Sequence, residues 1–398
     1  MSRQFTARDQ VAIVGYAQSP LERHASKSLG ALTFETSRAA IADAGLKVAD
    51  VDGFVTAPIF PTLGSHSVQD GVSIVSSAWL AQHLGVNPRF AAGIEGAGQL
   101  PGSVAMAVDA ISSGFVNYVL LHRALHNPRG RYHQREAGQP RGSEQWTAPQ
   151  GYFGPIASIA IPYTEYMQRY GCSRETTAMV VSESRKNGSR IPWSYWSGRP
   201  LTVDAYLADP QIHDPMCRYD CDIPVDGASV FILTSSERAR DLPNRPVYIS
   251  GYAVGTPAHR RLNGHWPLED IMEVGTETCR RLWEAAGVGP GEVDLPQVYD
   301  GFSPLVYFWL EALGFCPVGE GHRLVSDGGI DSDTPGALPA LSGGGALGNG
   351  RMHGAPQMLE CYLQLSGRAG ERQRQGVSLG LACQGIPHIG GVVAYRAG

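Results

Sequence analysis

Apolar positions in this chain fall into short continuous runs separated by amphipathic stretches, and one such succession occurs twice. Val11-Ala-Ile13-Val-Gly15-Tyr16-Ala17 returns as Val247-Tyr-Ile249-Ser-Gly251-Tyr252-Ala253, an apolar run of strand length in each case. An amphipathic stretch that stops at a glycine follows each run, residues 29–44 before Gly45 and residues 268–286 before Gly287. Val51-Asp52 and Val293-Asp294 then lead into a further apolar strand, through Phe54-Val55 and Val298-Tyr299. The offset is 236 residues at the first phrase and 242 at the second, so a small insertion separates the copies. Two shared phrases in one order imply two copies of one α/β unit. A chain built this way tends to place its functional groups where the copies meet.

The first copy continues the alternation. Residues 72–84 read as a helix and 90–94 as a strand. Gly98-Gln-Leu-Pro101-Gly102 opens a helix through Ile111, and 116–121 is again a strand. Residues 123–160 break the rhythm with Arg123, Arg129, Arg131, Arg135 and Arg141 and the aromatics Trp146, Tyr152 and Phe153. This is either an ordered surface loop or a lid or subunit-contact loop near an anionic ligand, since clustered arginines suit phosphate. Residues 163–186 read as helix and 225–233 as a glycine-entered strand closing the first half. The expected organisation is one half at 1–240, with a loop insertion at about 123–205, and a second at 245–398.

Composition narrows the class. At 398 residues, 43% hydrophobic and 17% charged, the chain suits two fused halves with well-buried cores. Its 49 glycines and 27 prolines imply many tight turns, as in an enzyme rather than a helical scaffold. A net charge of −5 argues against nucleic-acid binding. No run approaches the 18 apolar residues of a membrane span, and the Met1-Ser-Arg-Gln-Phe start lacks an apolar signal core, so a cytoplasmic protein is expected. The seven scattered cysteines read as reduced thiols, with no metal set among them.

Three stretches of the second half stand out from scaffold. At Val298-Tyr299-Asp300-Gly301-Phe302-Ser303 a strand ends in two ionisable groups, a position that faces a cleft in α/β folds. Tyr299 is a candidate acid/base, or a tyrosine that merely satisfies a buried partner, and Asp300 a candidate to react or to orient the loop. Ser342 to Gly354 is a glycine loop holding Gly344, Gly345, Asn349, Arg351 and His353. Such loops allow close backbone approach and offer N–H donors to an oxyanion. Leu381-Ala-Cys383-Gln384-Gly385 is a turn between two apolar strands.

Together with the duplication, these stretches resemble the thiolase superfamily over nearly the whole chain. The family's Asn-Glu-Ala-Phe phrase, His-Asp-Cys-Phe in the lipid-transfer branch, falls on Tyr299-Asp300-Gly301-Phe302. Its Gly-Gly…Gly-His-Pro-x-Gly loop falls on Gly344-Gly345…Gly350-Arg351-Met352-His353-Gly354, and its Cys-x-Gly-Gly turn on Cys383-Gln384-Gly385-Ile386. The resemblance implies a duplicated five-layered αβαβα fold with a catalytic loop from each half. The departures matter as much. The place of the thiolase nucleophile reads Gly96-Ala97-Gly98-Gln99-Leu100-Pro101-Gly102, no cysteine precedes Cys172, and Arg351 stands at the thiolase histidine. Without a nucleophile no acyl-enzyme forms by the usual route.

What remains is similar to the steroid side-chain aldolases of the superfamily, which use tyrosines where thiolases use cysteine. This implies retro-aldol cleavage of a bulky β-hydroxyacyl-CoA to a ketone or aldehyde plus acetyl-CoA or propionyl-CoA. It implies Tyr299, His353 and Asp300 as catalytic residues, and Gly344, Gly345, Asn349, Arg351 and Cys383 against the substrate. No cofactor is implied in this chain, the coenzyme A thioester being substrate. A homodimer is implied, in complex with a small partner carrying a zinc ribbon and an OB-fold. The glycine loop offers no second tyrosine, which leaves the second acid/base open. Two other classes also stay open: a thiolase-type acyltransferase on an unusual β-oxoacyl-CoA relying on Cys383, and a non-catalytic thiolase-like subunit.

Overall fold

In the computed structural model, residues 5–57, 72, 74–94, 99–126, 144–152, 154–256 and 266–398 are described. Arg129, Arg131, Arg135, Arg141, Phe153 and Gly96 to Gly98 lie outside them. The first half supplies strands β1 (Val11–Gln18), β2 (Gly53–Thr56), β3 (Phe90–Gly93) and β4 (Tyr118–Leu125). A small hairpin of β5 (Gln211–His213) and β6 (Met216–Cys217) and the long β7 (Gly227–Ser235) follow. The second half supplies β8 (Val247–Val254), β9 (Leu295–Gln297), β10 (Leu379–Gln384) and β11 (Gly391–Ala397).

Nine of these strands form one sheet in the order β3-β2-β4-β7-β1-β8-β11-β10-β9. From its centre outward each side repeats the other. β1 pairs antiparallel with β7, β7 antiparallel with β4, and β4 parallel with β2. Likewise β8 pairs antiparallel with β11, β11 antiparallel with β10, and β10 parallel with β9. The halves join where β1 pairs with β8.

The repeated phrases have physical causes. A Cβ on Gly15 would lie 2.7 Å from Ala44 Cβ, and one on Gly251 2.8 Å from the Ala286 nitrogen. Each glycine therefore lets the end of the following helix press on its strand. Asp52 accepts from the amides of Asn117 and Tyr118, and Asp294 from those of Ser378 and Leu379, so the Val-Asp phrase ties neighbouring strands in both halves. The helices Leu29–Asp43 and Leu268–Ala286 correspond. The second buries Leu268, Ile271, Met272, Gly275, Cys279 and Leu282 at helical spacing, leaves Glu277 and Arg280 in water, and ends at Gly287 with φ of 69°. Each fully buried aliphatic side chain of such a stripe contributes about 1.5–3 kcal/mol.

The layering follows. Helix Leu29–Asp43 covers the outer face of the first half-sheet, and helices Leu268–Ala286 and Leu305–Ala312 that of the second. Helices Gln99–Ser112 and Ala355–Ser366 fill the middle, sharing one apolar core with strands of both halves. This is the five-layered, duplicated thiolase fold.

Some boundaries differ from the sequence reading. Residues 163–186 are two helices, Gly154–Tyr170 and Arg174–Ser189, because Gly171 takes φ of 76° and Ser173 caps the second. The helix expected at 72–84 begins at Ser77, behind its cap Ser76. Strand β9 ends at Gln297, so Val298 and Tyr299 belong to the connection after it. Strand β4 runs to Leu125, paired with Gly227 of β7, which places Arg123 inside a buried strand rather than in the loop. Among the described residues no helix is long and apolar enough to cross a membrane.

Candidate active site

Three irregular segments are stitched together by backbone hydrogen bonds. The Asp222 amide donates to the Gly301 carbonyl at 3.1 Å, and Cys221 bridges antiparallel to Phe302. The Arg351 amide donates to the Ile223 carbonyl at 2.8 Å, with Pro224 and Arg351 forming a parallel bridge. Residues 221–224 thus run between the Tyr299 connection and the glycine loop. Buried strand β4 brings in Arg123 from the first half.

Tyr299 is 7% exposed, and its ring folds back over Gly301, where any Cβ would collide with the phenol oxygen. Burial pushes the phenol pKa well up; the charges of Asp222 and Asp300 add to this and Arg123 opposes it. At neutral pH the group is therefore a phenol, a proton donor. Arg123 donates from Nη1 to the Ala57 carbonyl at 2.5 Å and from Nη2 to His353 Nδ1. A guanidinium only donates, so Nδ1 is the acceptor and the hydrogen-bond geometry assigns the His353 proton to Nε2. His353 takes φ of 45°, a left-handed conformation that a side chain adopts at a cost. Arg351 is 5% exposed; burial lowers its pKa to about 9, and its charge depresses that of Arg123. Tyr299, His353 and Arg351 are thus gathered around Arg123, in a region whose two buried guanidiniums favour developing negative charge.

In the glycine loop, packing engages several of the amides that the sequence reading offered to an oxyanion. Ala346 and Leu347 donate to Asp300 at 2.5 and 3.2 Å, Gly343 to Gln297 Oε1, and Gly344, Gly348 and Gly350 to carbonyls of the same loop. Gly344 and Gly345 serve close approach: a Cβ on Gly344 would lie 2.6 Å from Gly188 Cα in helix Arg174–Ser189, and one on Gly345 would fall onto the Asp300 carboxylate. Asn349 is 1% exposed and donates to the Gly343 and Gly345 carbonyls. Asp300 is wholly buried and also accepts from Ser184 Oγ at 2.8 Å and Gln357 Nε2 at 3.1 Å. Burial outweighs these bonds and raises its pKa to about 6. Asp300 and Asn349 thus tie the loop together, and Gly344 and Gly345 let it pack closely.

Cys383, at the end of β10, is also buried, and burial pushes its thiol pKa well up, away from the thiolate a nucleophile needs. It borders a void of only about 10 Å³ with Leu100, Pro101 and Gly354. The roomier space lies beside residues 221–224. This is a cavity of about 400 Å³ walled by Ile156, Trp196, Ile212, Ile223 and Leu347, with Asp222 among its lining and Arg185 stacked 3.5 Å over Trp196. A larger cavity of about 870 Å³ lies elsewhere, by Tyr16 and Arg368, and holds none of the candidate residues. Three of its arginines are already paired, Arg368 with Asp43, Arg372 with Glu360 and Arg190 with Asp333.

Sequence reasoning missed Arg123 as a site residue and Asp222 altogether. A signal for the first was present: His122-Arg123 interrupts an otherwise apolar strand, and a cation there needs a buried role. Nothing local marked Asp222, because its neighbours Gly301 and Arg351 are distant in sequence.

The fold and this site define a thiolase-like protein that lacks the thiolase nucleophile. Residues 269–395 match the "Thiolase C-terminal domain-like" family. The chain is 30% identical over 368 residues to the steroid side-chain-cleaving aldolase of Thermomonospora curvata, covering 89% of this chain and 90% of that one. It is 29% identical over 368 residues to the 17-hydroxy-3-oxo-4-pregnene-20-carboxyl-CoA lyase of Mycobacterium tuberculosis, covering 90% and 92%. The solved structure of the Ltp2-ChsH2(DUF35) aldolase superposes with a TM-score of 0.83 at 27% identity, covering 98% of each chain. The chain belongs to the thiolase superfamily, in the family of the steroid side-chain-cleaving aldolases.

Proposed function

We propose that this protein is a carbon–carbon lyase that cleaves a bulky, steroid-like β-hydroxyacyl-CoA by retro-aldol chemistry. The β-hydroxyl loses its proton, the Cα–Cβ bond breaks to leave a ketone or aldehyde, and the bond's electron pair enters the thioester as an enolate. Protonation at Cα then releases the shorter acyl-CoA. The observation that carries this reading is the electrostatics of the cluster: a protonated phenol, two buried guanidiniums and an imidazole N–H, with Cys383 held as an enclosed neutral thiol. Such a set stabilises an enolate and hands it a proton, but forms no acyl-enzyme.

In this reading Tyr299 is the acid/base at Cα. Arg123, Arg351 and His353 hold developing charge, and the scheme calls on no cofactor bound by this chain. The protein acts in the cytoplasm as a homodimer. It works with a small DUF35-type partner carrying a zinc ribbon and an OB-fold, which helps to bind the coenzyme A ester; the heteromeric aldolase it resembles supports this assembly.

The test uses the chain co-purified with that partner and 17-hydroxy-3-oxo-4-pregnene-20-carboxyl-CoA as substrate. The expected products are the 17-ketone and propionyl-CoA, since the 17-hydroxyl is β to the thioester carbonyl. Tyr299→Phe keeps the ring but removes the phenol, and kcat is expected to fall about 100-fold or more. Cys383→Ala is expected to stay within about threefold of wild type, the small cost of a trimmed neutral thiol. Labelled acyl trapped on a cysteine, with Cys383→Ala inactive and Tyr299→Phe active, would replace this reading by a thiolase.

A further inference from the structure

A retro-aldol cleavage moves two protons, one off the β-hydroxyl and one onto Cα, and the glycine loop supplies no second tyrosine, its His353 Nδ1 being already taken by Arg123. Resting on the aldolase reading, we propose that Asp222 is the missing base, its carboxylate taking the β-hydroxyl proton while the Tyr299 phenol protonates the enolate.

The acids around the site set it apart. Asp220 accepts from Tyr206, Ser303 and the Cys217 amide. Asp226 accepts from the Ala25 amide and faces His126 at 2.9 Å. Asp300 is filled by four donors. The Asp222 carboxylate, 8% exposed, has no hydrogen bond or ion pair among the described residues. Its oxygens are not sealed in the interior like those of Asp300 but stay open to the cavity that Asp222 lines, where no protein donor holds them.

Its placement suits a base. The backbone bond to Gly301 and the neighbouring Ile223–Arg351 bond fix Asp222 between the two loops. Gly301 lies directly under the Tyr299 phenol, and Asp222 lines the 400 Å³ cavity, whose apolar walls suit a hydrocarbon substrate. Burial and the nearby Asp300 raise the Asp222 pKa, making it a stronger base than a solvated carboxylate.

The proton inventory closes without a co-reactant. Asp222 gains the hydroxyl proton, the Cα–Cβ electron pair becomes the enolate, and the enolate takes the phenol proton. Arg123, whose charge favours the phenolate, steadies Tyr299 in the interval. The proton on Asp222 then passes to the phenolate, directly or through water, and both groups return to their starting state.

The experiment compares wild type, Asp222→Asn and Asp222→Ala, each with the partner subunit and 17-hydroxy-3-oxo-4-pregnene-20-carboxyl-CoA. Asp222→Asn is expected to lower kcat about 100-fold or more, the usual share of one acid/base, with KM little changed. Asp222→Ala is expected to be as slow, and to regain about tenfold or more when formate is added as a replacement carboxylate. Tyr299→Phe should not respond to formate. Asp222→Asn within about tenfold of wild type, or Asp222→Ala indifferent to formate, overturns the assignment and leaves the aldolase reading intact. A wild-type complex that leaves the substrate uncleaved overturns both. Should thermal melting show that the asparagine variant misfolds, the formate arm decides alone.

Discussion

At the scale of single residues, the site depends on charges that only distant parts of the chain satisfy. Asp300 holds four donors converging on a carboxylate, so Asp300→Asn turns one acceptor oxygen into a donor facing donors. A loss of about 2–4 kcal/mol is expected, read as a lower urea midpoint at pH 7. The pH dependence has a defined sign. The folded pKa of about 6 lies above that of the unfolded chain, so Asp300 stabilises the fold below about pH 4. That contribution is lost as pH rises through about 6. Asp300→Asn should remove this slope from the stability curve between those values, and an unchanged slope would assign it to another group. Arg123 makes a parallel case. It spans the Ala57 carbonyl and His353 with separate guanidinium nitrogens. A lysine ammonium cannot reproduce that planar fork, so Arg123→Lys should lower kcat about tenfold or more with the chain still folded.

Among the elements, the decisive contact is the glycine loop against helix Arg174–Ser189. The backbones touch where a Cβ on Gly188 would fall onto the Gly348 carbonyl, and Ser184 Oγ ties the two by donating to the Gly344 carbonyl at 2.7 Å. Gly188→Ala should therefore cost about 3 kcal/mol or more and displace Asp300 with the loop, because backbone cannot yield as a side-chain tip does. Gly289→Ala is the control. Its Cβ meets nothing within 4 Å and its φ is −122°, so stability should stay within about 0.5 kcal/mol. Equal losses in chemical denaturation would refute the packing explanation.

For the whole molecule, the two ends of the sheet differ. β9 is buried along its length, whereas β3 is an edge strand whose Ala91 is exposed and whose Phe90, Ala92 and Gly93 are half-covered. An unprotected edge pairs with another chain unless something blunts it, and a second copy across a twofold axis satisfies both edges at once. Light scattering should report a dimer at micromolar concentration. Ala91→Lys, which sets like charges against each other across that axis, should shift it towards monomer. A monomeric wild type would remove the edge-pairing argument.

The repeated apolar phrases, their glycines and the Val-Asp ties were sufficient to establish the duplication and the fold family, because strand and helix periodicity, glycine close approach and helix stops are encoded within a few residues of one another. Tyr299 was legible for the same reason, standing at the end of an apolar run. The roles of its neighbours were not. The glycine loop reads as an anion cradle until Asp300 is seen to take two of its amides and helix Arg174–Ser189 to press on its backbone. Cys383 reads as a residue lining the substrate cavity until its enclosure is seen, and Arg123 as a loop cation until β7 extends its strand. Each of these depends on what lies across a gap of tens to hundreds of residues. Burial, the sign of a pKa shift and the satisfaction of a carboxylate are properties of the packed interior, so the tertiary structure alone decided which charged groups brace the site and which face its cavity.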